Sequence, residues 1–226
     1  MGKKRSIDES ESAPAQKLLR KDEVLLIDEL NSKNGLDGLQ RIVESSDYSE
    51  IITLLSQGGS GKDLLSVLVN NPEKPKSSDI SIIFNACESF LLHVSTCISN
   101  SENDEEKSRY RKLGIELCHE LLEFHLGYII LLLSGSNTAY QVQSSLKLLI
   151  SMVTCCAQTA KEVLVKLDFE HKNWESVSKR QSNEIRKAFI QFLLSFFVIG
   201  HIGIAKEFIE KKNLITSILP GKAFFC

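Results

Sequence analysis

Two long stretches of regularly spaced apolar residues constrain the fold of this chain more than any other feature. The first runs from Ala139 to Val153 and the second from Ile185 to Gly200. In both, apolar residues recur three and four positions apart, which places them on one face of a helix. Because neither face is covered by its own helix, each stretch predicts a helix packed against neighbouring helices.

The composition favours the same class of fold. The chain has 226 residues, of which 42% are hydrophobic and 25% are charged, and it contains only 4 prolines. These values are typical of a globular chain that is long enough to bury a core. Strand-type alternation does not persist for more than a few residues. We therefore predict an all-α fold.

The predicted organisation is a tail followed by one helical domain. Residues 1–15 are polar and rich in Ser and Glu, so we expect a disordered basic and acidic tail, with the helical scaffold domain over 16–226. The main helices recur every few tens of residues, as in a HEAT- or armadillo-like solenoid. They share no fixed sequence period. An irregular α-solenoid is therefore favoured, and a plain irregular helical bundle is the alternative.

Local signals predict the helix boundaries in the first half of the chain. We expect helices over 16–31, 36–45, 48–57 and 62–69, the first of them ended by Asn34-Gly35. Ser78-Asp79 is the predicted N-cap of a longer helix. The apolar face of that helix consists of Ile80, Ile83, Phe84, Cys87, Phe90, Leu91 and Val94.

Similar signals apply further along. The charged segment 99–108 is expected to be a loop, and 110–133 a helix with a break at Gly127. Asn137 or Thr138 is the predicted cap of the helix that begins at Ala139. Thr159 is the predicted cap of a short helix after it.

Motifs for chemistry are absent or incomplete. Gly58 to Lys62 reads Gly-Gly-Ser-Gly-Lys, but a phosphate-binding loop needs a Gly where Ser56 stands and a Ser or Thr where Asp63 stands. We interpret it as a turn between helices. The 6 cysteines and 5 histidines lack the close pairing of a zinc site. A nucleophile, a base and an orienting group do not stand out either. We therefore expect that the chain is not an enzyme and that it binds neither a metal nor a cofactor.

Charge and hydropathy limit the partners. The net charge of −2 argues against a nucleic-acid footprint over the whole domain. The longest apolar runs fall short of the roughly 20 residues of a membrane helix. We therefore expect that the chain neither associates with a membrane nor acts on a small-molecule substrate.

Two basic groups near the N-terminus flank an acidic, Ser-rich spacer. Such a pair is typical of a bipartite nuclear import signal, whereas the alternative for the second group is the solvated face of a helix. The candidate signal consists of Lys3, Lys4, Arg5, Lys17, Arg20 and Lys21.

A third basic group surrounds the only tryptophan, in the connector between the two long helices. Basic side chains beside an aromatic ring could contact RNA phosphates and a base, or a protein partner. In the alternative, the tryptophan caps the core and the charges are solvated. The candidate contact residues are Lys172, Trp174, Lys179, Arg180, Arg186 and Lys187.

Three segments carry a family resemblance: Leu146–Cys155, Ala160–Phe169 and Ile185–Phe197. The first contains Met-Val-Thr, the second leads into Asp-Phe, and the third has an Arg-x-Ala-Phe-x-Gln-Phe pattern. In this order and spacing they resemble the N-terminal domain of the nucleolar pre-ribosomal-associated protein 1 family, most strongly over 139–203. Family chains are far longer, so this chain looks truncated beside them.

The resemblance implies a non-enzymatic scaffold of the nucleus and nucleolus. Such a scaffold acts in early assembly of the large (60S) ribosomal subunit and in pre-rRNA processing, with ribosome-assembly factors and pre-rRNA as partners. The residues alone leave an alternative open, which is a cytosolic armadillo-like adaptor that binds peptide segments of partner proteins.

Overall fold

The computed structural model describes residues 25–32, 34–70, 75–133, 137–155, 157–166, 177, 182–198, 200, 203 and 206. Regular secondary structure in these residues is helical, which confirms the predicted all-α class over the described part of the chain. The helices are α1 Leu26–Leu30, α2 Gly35–Ser45, α3 Ser49–Ser56, α4 Gly61–Asn70, α5 Ser77–Asn100, α6 Asp104–Phe124, α7 Leu126–Leu133, α8 Ala139–Cys155, α9 Ala157–Lys166 and α10 Asn183–Val198.

The centre of the protein is the pair α5 and α8. Helix α5 contacts α2 and α8, and α8 in turn contacts α10. Helices α4, α6 and α9 contact one another in that order, and they pack against this first set. The apolar face predicted for α5 is confirmed, since each of its seven members is at most 1% exposed.

Helix α5 is apolar for a structural reason. Its length and composition would suit a membrane span, although more than half of the qualifying window is buried inside the protein. Its charged residues are Asp79 and Glu88, and helices contact it on several sides. The hydropathy of α5 is that of a central core helix, which a search for uninterrupted apolar runs overlooks.

Of the loop expected over 99–108, only residues 101–103 lie outside helices. Helix α5 continues to Asn100 and α6 begins at Asp104. The carboxamide oxygen of Asn103 accepts the backbone N–H of Glu105 at 2.9 Å, which caps α6. Acidic residues in the first turn favour a helix start because they complement the helix dipole. The charges there belong to a helix N-terminus.

Other boundaries also shift. Helix α5 is capped at Lys76, whose backbone N–H donates to the Asp79 carboxylate at 3.2 Å, so the N-cap lies before Ser78-Asp79. The break expected at Gly127 falls at His125. Leu25 has an extended backbone, so a helix does not run unbroken over 16–31, and the start of that range lies outside the described residues.

Two threonines were predicted to cap helices, and the structure confirms one of the two predictions. The cap at Thr138 is confirmed: its backbone N–H donates to Gln141 Oε1 at 2.9 Å, and its hydroxyl accepts the Gln141 N–H at 3.3 Å. Thr159 is not a cap, because it lies inside α9. Its buried hydroxyl donates to the Met152 carbonyl at 2.5 Å and so ties α9 to α8.

Candidate interaction surface

Most of the basic residues singled out by the sequence lie outside the described residues. This applies to the whole candidate import signal, and to Lys172, Trp174, Lys179 and Arg180 of the candidate contact group. The expected tail over 1–15 lies outside them too. Both sites therefore stay predictions.

The two described members of the contact group, Arg186 and Lys187, lie near the start of α10. Arg186 is half-buried, whereas Lys187 is exposed. As neighbours on a helix they point about 100° apart. The carboxylate of Glu184 precedes them and accepts the Ser182 hydroxyl at 2.7 Å. Arg186 and Lys187 therefore lie close in sequence to an acidic side chain at the start of α10.

The segment from Gly58 to Lys62 is a structural turn, as interpreted from the sequence. Gly58 has a φ of +88°, and the Asp63 carboxylate accepts the Ser60 N–H at 2.6 Å, which caps α4. A Cβ atom at Gly61 would lie 2.5 Å from Cβ of Leu117. The glycine therefore lets α4 approach α6 closely. The backbone N–H of Ser60, of the kind that a phosphate would need, is already bound to the Asp63 carboxylate.

The described thiols are core residues or lie close to the core. Cys87, Cys118 and Cys155 are buried, and Cys97 is half-buried with its sulfur 3.3 Å from Nε2 of His93. Burial raises the pKa of the Cys87 thiol, which keeps this thiol protonated and unreactive. Among the described residues, groups of three or more His, Cys, Asp or Glu that could hold a metal are not found.

A groove of about 720 Å³ lies beside α1, α2 and α3. Its cation is Arg41, which pairs with Glu29 at 3.1 Å and also with Glu50. The lining also contains Asp28, so three carboxylates accompany one guanidinium, and the two glutamates among them are already paired with it.

Helix α10 has two apolar faces. One packs on α8 through residues such as Phe189, Phe192 and Phe196, which are at most 1% exposed. The other is a stripe formed by Ile190, Leu194, Phe197 and Val198, in which Leu194 is 53% and Val198 82% exposed. The sequence signal for a second face is the run Phe192 to Val198, where Ser195 is the only polar residue.

A second groove, of about 330 Å³, crosses α5 between α2 and α8. We call it the α2–α5–α8 groove. Sequence reasoning missed it, because its residues come from three helices and no local signal links them. Its polar lining includes Glu44, Tyr48, Asn85, Glu88, Tyr140 and Gln143.

Side chains from α5 and α8 meet across this groove. Asn85 Nδ2 donates to the hydroxyl of Tyr140 at 2.6 Å. Glu88 lies one turn further along α5 and is half-buried. Burial raises the pKa of its carboxyl group, and the charge of Lys147 on α8 opposes that rise. The arrangement can hold a polar ligand.

The comparisons with known proteins agree with the resemblance. The chain matches the Npa1 family, described as "Ribosome 60S biogenesis N-terminal", over residues 69–221. It is 28% identical to nucleolar pre-ribosomal-associated protein 1 of Homo sapiens and 29% identical to the protein of that name in Mus musculus, each over 155 residues. These alignments cover 66% of this chain but only 6% of each relative.

No solved structure matches the chain significantly. The resemblance predicted from the three sequence segments is confirmed by the family match, which extends over more than half of the chain and includes α5 to α10. The chain therefore belongs to the Npa1 family of ribosome 60S biogenesis N-terminal domains.

Proposed function

We propose that this chain is a non-enzymatic scaffold in the early assembly of the large (60S) ribosomal subunit and in pre-rRNA processing. The observation that carries the proposal is the family match over 69–221. The names of the human and mouse relatives, which include the words nucleolar and pre-ribosomal-associated, support a site of action in the nucleus and nucleolus.

The proposed architecture is an irregular α-solenoid over 16–226, preceded by the tail 1–15. The neighbour order α2, α5, α8, α10 supports it, because each helix contacts the next, while α4, α6 and α9 follow in parallel order. Stacked helices of this kind expose extended surfaces to partners. A plain irregular bundle would show less regular neighbour relations.

The proposed partners are ribosome-assembly factors and pre-rRNA, without a cofactor, a membrane or a small-molecule substrate. The exposed stripe of α10 and the α2–α5–α8 groove support contacts with proteins. The basic group around Trp174 is the proposed RNA contact, to which Arg186 and Lys187 would contribute.

A tagged pull-down of the intact chain from cell extract, with and without RNase, tests the proposal. We expect recovery of precursor rRNA of the large subunit together with assembly factors. Factors that stay bound after RNase treatment are held by protein contacts. Recovery of cytosolic partners alone would contradict the proposal and favour the adaptor.

The candidate import signal has its own test. Replacing Lys3, Lys4, Arg5, Lys17, Arg20 and Lys21 by alanine should abolish nuclear accumulation of the tagged chain, as seen by fluorescence microscopy. A matched variant in which four lysines and two arginines of the described helices are replaced should remain nuclear; these exposed residues are Lys62, Arg109, Arg111, Lys112, Lys161 and Lys166. Nuclear accumulation of the first variant would remove the import signal from the proposal.

A further inference from the structure

The α2–α5–α8 groove contains a carboxylate that the fold does not use. Glu88 is half-buried on α5, and among the described residues it makes no hydrogen bond and no salt bridge. A carboxylate in such a place loses hydration without gaining a hydrogen bond, and the charge of Lys147 offsets only part of that cost, because the pKa of Glu88 is still raised. A group that costs stability and makes no hydrogen bond within the described part of the protein is suited to a contact outside it.

The neighbours of Glu88 define what would satisfy it. Glu44 on α2 supplies a second carboxylate in the groove, against the single cation of Lys147. Two carboxylates attract a cation and repel phosphate, so the charges of this groove favour a basic protein segment over a nucleic acid. The groove is therefore electrostatically different from the basic group around Trp174.

Amide groups lie beside the carboxylates. Asn85 uses its Nδ2 to donate to Tyr140, and its Oδ1 can still accept a hydrogen bond. Gln143, one turn beyond Tyr140 on α8, makes no side-chain hydrogen bond among the described residues and can both donate and accept. Amides of this kind pair with the backbone of an extended peptide, whereas Tyr48 and Tyr140 offer ring surface to its side chains.

We propose that the α2–α5–α8 groove binds an extended, arginine- or lysine-containing segment of a protein partner, with the basic side chain held by Glu88 and Glu44. Asn85 and Gln143 pair with the backbone of that segment. The inference deepens the proposed scaffold function, since it names the chemistry of one partner.

The test is a titration of the full chain by fluorescence anisotropy. The probe is a fluorescein-labelled octapeptide of alternating glycine and arginine, and the comparison peptide has glutamine in place of arginine. We expect saturable binding of the arginine peptide and none of the glutamine peptide. Glu88→Gln should weaken binding about 10- to 100-fold, which is the usual effect of losing a hydrogen bond between charged groups.

The matched control is Glu102→Gln, which removes the same charge from an exposed residue outside the groove. It should leave the affinity within about twofold, since exposed charges are screened. Equal weakening by both variants would show attraction by net charge only and would overturn the proposal. Absence of peptide binding, or tighter binding of a labelled decauridylate that depends on Lys147, would also overturn it.

Stability separates a binding role from a structural one. Glu88→Gln should keep or raise the urea midpoint at pH 7, because it removes the cost of a half-buried charge. A lowered midpoint would assign Glu88 to folding and contradict the proposal. A failed titration beside a successful pull-down of precursor rRNA would reject the groove and leave the scaffold function standing.

Discussion

At the residue scale, Gly114 of α6 lies where three helices, α5, α6 and α8, approach one another closely. A Cβ atom there would lie 2.6 Å from Sγ of Cys155 and 3.2 Å from Cγ1 of Val94. The missing side chain therefore lets α6 contact both α5 and α8. Gly127 of α7 is different, since a Cβ atom there would meet nothing within 4 Å.

This pair of glycines gives the first prediction. Gly114→Ala should lower the free energy of unfolding by about 1–3 kcal/mol, because the added methyl group overpacks the contact. Gly127→Ala should raise it by about 0.5–1 kcal/mol, as alanine favours the helix. Urea unfolding followed by circular dichroism measures both. Equal effects of the two changes would contradict the close approach at Gly114.

His125 supplies a prediction on pH. It is buried at the break between α6 and α7, and burial lowers the pKa of its imidazole, while the charge of Glu120 acts in the opposite direction. The unfolded chain thus binds this proton more tightly than the folded one. The contribution of His125 to the free energy of unfolding is therefore complete above pH 6.5, the ordinary pKa of a histidine. It is lost as the pH falls from there through the lowered pKa of the folded state.

The corresponding measurement compares the intact chain with His125→Gln between pH 5 and pH 7. The free energy of unfolding of the intact chain should decline further at the acidic end than that of the variant. Since both proteins retain every other titratable group, the difference isolates His125. A constant difference across this range would contradict the assignment.

At the element scale, α5 depends on packing along its buried face. Phe84→Ala should lower the free energy of unfolding by about 3–5 kcal/mol, because Phe84 is fully buried. Phe124→Ala is the matched control: that ring is 68% exposed, so the change should stay within about 0.5 kcal/mol. Urea unfolding measures both changes. A large loss of stability in Phe124→Ala would contradict the exposure of that ring.

Element-scale features were predictable where a local pattern carries the physics. The face of α5 follows from spacing alone, and the cap at Thr138 follows from the reciprocal Gln141 three residues later. The α2–α5–α8 groove was not predictable, since Asn85 and Tyr140 are 55 positions apart and meet only through packing. Phe124 is in phase with the buried Leu117 and Leu121 and yet is exposed, because periodicity identifies a face but does not show where its cover ends.

At the scale of the whole molecule, protection of the backbone amides from hydrogen exchange should be strongest in α5 and α8. These two helices contact each other and most of the remaining described helices, whereas α1 and α10 contact fewer neighbours. We expect the slowest amide hydrogen exchange in α5 and α8, and faster exchange in α1 and α10. Mass spectrometry of exchanged peptides measures this order. Slowest exchange in α10 would contradict a core centred on α5.

The central place of α5 also has a consequence during synthesis. Its cover comes partly from α2 and α4, which precede it, and partly from α6 and α8, which follow it. Roughly 55 residues separate the end of α5 from the end of α8, which corresponds to about 3–11 s of translation. For that time the nascent chain displays a helix with the length and composition of a membrane span. The ribosome that makes this protein therefore presents a segment that must be kept from lipid and from other chains until its own later helices arrive.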